Sequence, residues 1–578
     1  MTRPVTKKTK ANAKSNTKKV KLNATDLEKR KRQGRLHRSL MSMFKNMGFE
    51  YLKTEGKHLT FDGQTGEFDG IYIYENILLI VEETISNFST DHIRKKDYYY
   101  GKVKENVGTL IEYLKDKFKA NFAKYDDYNV SQYRLFYVYA SDNFINTALR
   151  DNFKSLVFFD HTTIAYFSNL ASTIKHTARF DLFKCLNLEL NDIGNPGSSQ
   201  AVSRIETAVI LPETASGFPD GVQVVTFVMK AKELMECAYV LRKDSWDASA
   251  GPYQRLLDKR KTENIRKFLA KEKRTFIDSI IVSLPFDIKF VAKNEDSNDE
   301  TEINIFQTYQ FKNATMMIPY KINSIGVIDG QHRIYSHHEG EDTLEKEIGK
   351  LRNKRHLFVT GLCFDKDKFN DINKRKIESE IFLQINKEQK KVKPDLIQHI
   401  QAMNNPYSAD GISFNVINNL NNNRPFDGLF SNSELIKGGL KTPSISTFGL
   451  RKLVAIDKTQ TTLYKYYIGR GNSEINNNDT ELGKYIEYCS KELSEYFCAI
   501  KDKYKDEWQM KTKKGGVIST TLVVGFLRSY IYMLDKYNGP QDFRFYQSRL
   551  QHLKINVNSF VSSQWNSLAN EINSACWV

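Results

Sequence analysis

Ser324-Ile325-Gly326-Val327-Ile328-Asp329-Gly330-Gln331-His332-Arg333-Ile334-Tyr335 carries a strand straight into a helix. Ile325 to Ile328 is a short apolar run of the kind buried on both faces of a sheet. Gly330 supplies a tight turn, and Ile334 and Tyr335 fall in helical register behind it. Strand, glycine turn and helix in immediate succession mark an α/β domain.

Outward from this junction, strands are expected at Val222–Met229, Ser279–Leu284 and His356–Cys363, which places the α/β domain at residues 201–400. Glu295 to Glu300 reads as a solvated acidic loop within it. A second α/β domain is expected at 35–190. There Leu36, Leu40, Met43, Phe44 and Met47 share one face of a helix that stops at Gly48, and Leu135–Tyr139 and Leu156–Phe159 read as buried strands. Asn191 to Gln200, with Gly194, Pro196 and Gly197, is the expected linker. Residues 401–578 are helical in pattern, and helices such as Leu522–Leu534 are expected to pack on the central domain or in an oligomer contact. The fold class is therefore α/β multidomain with a helical C-terminal region.

The chain has 578 residues and a net charge of +17. Residues 1–38 hold 14 Lys and Arg against 2 acidic residues, so +12 of that charge sits in the first 38 positions. Residues 1–34 are accordingly read as a disordered basic arm, able to neutralise phosphates or simply to keep the chain in solution. The six cysteines show neither C-x-x-C pairs nor zinc spacing, and no stretch has the apolar length of a membrane helix or a secretory signal. These features predict a cytoplasmic protein with reduced thiols and no membrane partner.

The backbone N–H groups at a helix start carry partial positive charge, so the turn at Asp329-Gly330-Gln331-His332-Arg333 suits an anion, phosphate in particular. His332 and the Arg333 fork would add donors to it. The alternative is structural: Asp329 caps the helix, Gly330 relieves the turn, and His332 and Arg333 bond within the protein.

A second constellation lies at Glu67-Phe68-Asp69-Gly70 and Val81-Glu82-Glu83-Thr84. A two-residue turn at Glu75-Asn76 sets Asp69 across from Glu82 and Glu67 across from Thr84, on one face with Ile71, Ile73, Leu78 and Ile80. Opposed carboxylates repel, and a cation between them resolves the repulsion. Mg²⁺ suits such oxygen ligands, with Asp69 and Glu82 as the metal ligands and Glu50 or Glu55 as candidates for one more. Lys96 is in helical register with Tyr100, Val103, Val107, Leu110 and Leu114, so it should point inward toward the sheet. Otherwise these charges are exposed strand ends. Two aromatic and basic runs, Tyr98-Tyr99-Tyr100 with Lys102 and Lys104, and Tyr464-Lys465-Tyr466-Tyr467 with Arg470, are candidates for stacking on nucleic acid or for the core.

The hairpin resembles the PD-(D/E)XK nuclease superfamily over about residues 36–185, except that Thr84 stands where that superfamily has its lysine. The resemblance implies a nuclease site of Asp69, Glu82 and, as a displaced lysine, Lys96. Residues 205–400 resemble the DGQHR domain family, known from bacterial DNA phosphorothioation systems and related to the ParB/sulfiredoxin-like fold. Tyr253-Gln254-Arg255, Ile265-Arg266-Lys267 and Phe382-Leu383-Gln384-Ile385-Asn386 with Lys390-Lys391-Val392 stand where that family has supporting segments. That resemblance implies that Asp329, Gly330, Gln331, His332 and Arg333 bind ATP, another NTP or a DNA phosphate.

Together these readings predict a prokaryotic defence or DNA-modification-associated protein. A nucleotide- or DNA-sensing DGQHR domain would be coupled to a Mg²⁺-dependent nuclease, with DNA, a homo-oligomer or operon-encoded proteins as partners. The rivals are a non-catalytic DNA-binding regulator with a degenerate nuclease fold and an NTP-hydrolysing assembly factor.

Overall fold

A computed structural model describes residues 24–85, 90–125, 128–194, 202–240, 257–293, 300–387, 399–400, 402–431, 439–512, 516–554 and 556–578. Tyr253-Gln254-Arg255, Lys390-Lys391-Val392, most of the acidic loop, much of the expected linker and residues 1–23 of the basic arm lie outside them.

The first helix, α1 (Ala24–Asn46), begins eleven residues before the expected start of order. Its C-terminal half is held by the expected stripe, with Leu40, Met43, Phe44 and Met47 each at most 1% exposed. Burying side chains of this size stabilises the fold by about 1.5–3 kcal/mol apiece. No side chain of the polar segment Asp26–Arg35 is fully buried, but Leu, Glu, Lys, Arg and Gln are good helix formers and extend a helix already nucleated by its packed half. Gly48, at φ 91°, ends the element.

Strands β1 (Glu50–Leu52), β2 (His58–Phe61), β3 (Gln64–Glu67), β4 (Gly70–Tyr74) and β5 (Ile77–Thr84) follow. After them come α2 (Thr90–Glu105), α3 (Val107–Lys117), β6 (Arg134–Ser141), β7 (Leu156–Phe159), α4 (His161–Ile174) and α5 (Arg179–Cys185). The sheet runs β1-β4-β5-β6-β7, antiparallel to β5 and parallel from there to β7. The β4–β5 register, from Gly70↔Val81 to Tyr74↔Ile77, is the one a turn at Glu75-Asn76 dictates. Ile71, Ile73, Leu78 and Ile80 face α2 and α3 and pack with Tyr100, Val103 and Leu114, while Tyr72, Leu79 and Val81 face α1 and α4. The single helix expected through Lys96 and Leu114 is broken at Asn106. β2 and β3 form a separate hairpin that the sequence reading did not include, and it removes Glu67 from its expected place opposite Thr84.

The central region is one mixed nine-stranded sheet containing β8 (Val202–Leu211), β9 (Val222–Lys230), β10 (Ala238–Tyr239), β11 (Ile280–Ser283), β12 (Lys289–Lys293), β13 (Glu300–Glu302), β14 (Lys312–Pro319), β15 (Ile325–Asp329) and β16 (His356–Phe364). Their order is β10-β15-β11-β16-β9-β8-β14-β12-β13. Helices α6 (Lys259–Glu272), α7 (Gln331–Tyr335), α8 (Glu345–Lys354) and α9 (Asp371–Lys387) accompany it. All four expected strands are present, and α9 carries Phe382 and Asn386.

One continuous core spans both α/β regions, from Leu40, Val138 and Phe167 to Met229, Val282 and Val327. Polar contacts reinforce it: Arg179 Nη2 lies 2.5 Å from Glu339 Oε2, His176 Nδ1 3.2 Å from Glu339 Oε1, and the Glu339 N–H donates to Thr177 Oγ1 at 2.9 Å.

The C-terminal helices α10 (Ala409–Asn422), α11 (Asp479–Lys503), α12 (Thr520–Lys536) and α13 (Trp565–Cys576) build a separate core. The expected docking of Leu522–Leu534 elsewhere is corrected here. That segment is the centre of its own bundle, with Leu522, Val524, Phe526, Tyr530 and Leu534 buried and α13 packed on it. Tyr464, Tyr466 and Tyr467 are also core side chains, and Arg470 bonds Glu492 at 2.7 Å, so this run offers no stacking platform. Among the described residues no helix is long and apolar enough to cross a membrane.

Candidate active site and the Asp329–Arg333 turn

Alternation along β5 sends Glu82 and Glu83 to opposite faces of the sheet. On the α2 face, Lys96 Nζ donates to Glu82 Oε2 at 2.6 Å and lies 3.5 Å from the Glu67 carbonyl oxygen. The lysine expected to point inward from the helix does so. Asp69 sits one residue ahead of β4, and its Oδ2 accepts the Glu83 backbone N–H at 2.6 Å, which fixes the carboxylate at the strand end.

Burial pushes the Glu82 carboxyl up to about 7, the charge of Asp69 adds to the rise, and Lys96 opposes it. Asp69 is raised by burial too, against the Glu83 N–H and Lys96. Two carboxylates on one face, each resisting ionisation and sharing one nearby ammonium, make a donor set that a hard divalent cation fits. Among the described residues no group of three or more His, Cys, Asp or Glu side chains is arranged to hold a metal. A cation here would therefore rest on Asp69 and Glu82 and complete its shell with water and phosphate oxygens. Glu55 is near enough to raise Asp69. Glu50 is not part of the site, because it pairs with Ile73 at the turn end of β4 and forms an ion pair with Lys124.

His92, absent from the sequence reading, belongs to this cluster. Its Nε2 is 3.8 Å from Glu82 Oε1 and its Nδ1 3.1 Å from the Tyr139 hydroxyl, and burial lowers its pKa. It lies four residues before Lys96, so extending the inward stripe by one turn finds it. Thr84 shares a hydrogen bond with Tyr139. Of the tyrosine run, Tyr99 and Tyr100 are buried in the core and only Tyr98 is exposed.

On the opposite face His37 Nδ1 is 2.9 Å from Glu83 Oε1, and Gln33 Nε2 donates to the Glu83 carbonyl at 3.4 Å. Burial raises Glu83 to about 7, with His37 working against the shift.

At the second constellation Gly330 has φ 96° and leads into α7, a helix of only five residues. Its macrodipole is correspondingly small. Arg333 Nη2 donates to Asp329 Oδ2 at 2.8 Å, and Arg333 Nη1 is 3.9 Å from Asp278. His332 Nε2 accepts the Asp258 backbone N–H at 3.0 Å. Asp329 thus engages Arg333 rather than capping the helix, and Gln331 is buried. Behind the turn, Arg266, 1% exposed, bonds Asp342 at 2.8 Å, Glu345 at 2.7 Å and the His338 carbonyl at 2.7 Å. The turn is therefore braced from within the protein, and a phosphate would have to draw Arg333 from Asp329.

No protein-family model, no curated protein and no solved structure matches this chain.

Proposed function

We propose that the N-terminal α/β domain is a Mg²⁺-dependent nuclease acting on DNA, within a prokaryotic defence or DNA-modification system. The carrying observation is that Lys96 reaches Glu82 on the same face as Asp69. The PD-(D/E)XK resemblance supports the reading, because the lysine missing at Thr84 is replaced from α2. A bound Mg²⁺ would lower the pKa of a water and stabilise the leaving oxygen of a phosphodiester. Asp69 and Glu82 bind and orient at the strand ends. Lys96 has three donors with which to position the attacking water, and His92, beside Glu82 and with its pKa lowered, is placed to accept a proton.

The DGQHR resemblance extends the proposal to the central domain, which would sense a nucleotide or a DNA feature at Arg333 and His332. Addition of ATP should raise the melting temperature of the wild-type chain and not of Arg333→Ala; an equal shift in both removes the nucleotide site.

The decisive experiment is incubation of plasmid DNA with Mg²⁺. Cutting by the wild type, reduced at least a hundredfold in Asp69→Ala and in Glu82→Ala, supports the nuclease. One observation favours a second reading, a DNA-binding regulator without chemistry: the Lys96 ammonium lies 2.6 Å from Glu82 Oε2, where it can balance the carboxylate in place of a cation. Binding of DNA with no cutting by any form would select it.

A further inference from the structure

Helix α1 reaches past the sheet at the end where the carboxylates lie. Gln33 and His37 contact Glu83 at the end of β5. Arg32 grips the loop beyond β6, Nε to Asp142 Oδ2 at 2.5 Å, Nη2 to Asp142 Oδ1 at 2.9 Å and to Asn143 Oδ1 at 2.7 Å. In the parallel β5–β6 register Thr84 pairs with Ser141, so Asp142 and Asn143 lie just beyond the row that holds Glu82 and Glu83. From Gln33 back to Lys29 the helix rises about 6 Å further along its axis. Lys29, Arg30 and Lys31 therefore stand beyond the strand ends, all three exposed.

In this segment Arg32 and Gln33 are half-buried against the strand ends, whereas Lys29, Arg30 and Lys31, just before them, are exposed, so packing does not account for these three charges. Its acids are Asp26 and Glu28; Glu28 is engaged by Arg35, an exposed pair at 3.3 Å worth little. On the other side of the sheet end, Lys95 is exposed next to Lys96. Basic side chains thus flank the Asp69–Glu82 pair from α1 on one face of the sheet and from α2 on the other. A site with two carboxylates repels a polyanion unless fixed cations draw it in.

We infer that the N-terminal turns of α1 form a clamp for the phosphate backbone of duplex DNA, holding it across the strand ends of β5 and β6. The inference deepens the nuclease reading by naming the surface that delivers the substrate. Contact would be to phosphates, so affinity should be independent of base sequence and steeply dependent on salt.

The test is binding of a fluorescein-labelled 20-base-pair duplex to the full chain, without divalent ions, across a salt series. In the triple variant Lys29→Ala, Arg30→Ala, Lys31→Ala the slope of log K against log salt should become shallower by about 3, near 1 per lost cation. Alanine at exposed helix positions preserves the helix, and Lys29→Arg with Lys31→Arg should keep the wild-type slope. An unchanged slope in the triple variant overturns the clamp, whatever the cutting assay shows. If the slope falls while the wild type fails to cut DNA with Mg²⁺, the clamp stands and the nuclease reading falls.

Discussion

Glu82 and Glu83 hold their protons unusually tightly, and this fixes the sign of a pH effect. Both are raised to about 7 in the folded chain, against about 4.3 for an unperturbed Glu. The folded state therefore binds more protons than the unfolded state between those values. The stability these groups contribute is fully present at low pH and lost as pH rises through 7. His337 and His338 act in the opposite sense. Burial lowers each from 6.5 to about 4, so stability falls as pH drops from about 6.5 to about 4, by up to about 3 kcal/mol each. A cation between Asp69 and Glu82 would oppose only the loss of stability from the carboxylates. Thermal melts should accordingly show Mg²⁺ raising the melting temperature more at pH 8 than at pH 5.5, with the response lost in Glu82→Gln. Equal responses at both pH values would remove the cation from this pair. In the absence of metal, Glu82→Gln should melt higher than the wild type at pH 8, because it deletes a carboxylate whose ionisation burial disfavours.

The strand–turn–helix element at Gly330 illustrates how backbone and side-chain demands meet. With φ at 96°, a side chain there is strained, and a Cβ would come within 3.1 Å of Ile280 Cγ1 and Arg333 Nη2. Gly330→Ala should cost about 1–2 kcal/mol, measurable as a lower denaturant midpoint, and an unchanged midpoint would show that the turn relaxes at no cost. The strand here and the β4–β5 register were legible because alternation and a two-residue turn leave one register that buries Ile71, Ile73, Leu78 and Ile80. Lys96 was legible from helical spacing alone. The β2–β3 hairpin is signalled by Asp62-Gly63, which turns at φ 46° and 77° and draws Glu67 into β3 rather than the next strand. The Arg333–Asp329 pair could not be read, since it spans a strand, a turn and a helix and depends on where the chain bends. The early start of α1 was missed because polar composition says little about a helix whose anchor lies further along.

At the scale of the whole molecule, the two α/β regions meet through Glu339, which follows the α7 turn closely in sequence. The His176 hydrogen bond and Arg179 hold it well below the usual carboxylate range, at about 2, and Arg179 also stacks over Tyr74 at 4.7 Å, at the end of the hairpin that carries Asp69. A double-mutant cycle on Arg179 and Glu339 should give a coupling above 0.5 kcal/mol for stability, and additive effects would show that the contact is incidental. The continuous core has a further consequence. A protease site placed between Gly194 and Val202 should yield a nicked protein whose pieces co-elute on gel filtration and separate only in denaturant. Heating should then resolve two calorimetric endotherms rather than three, one for both sheets melting as a single cooperative body and one for the C-terminal bundle.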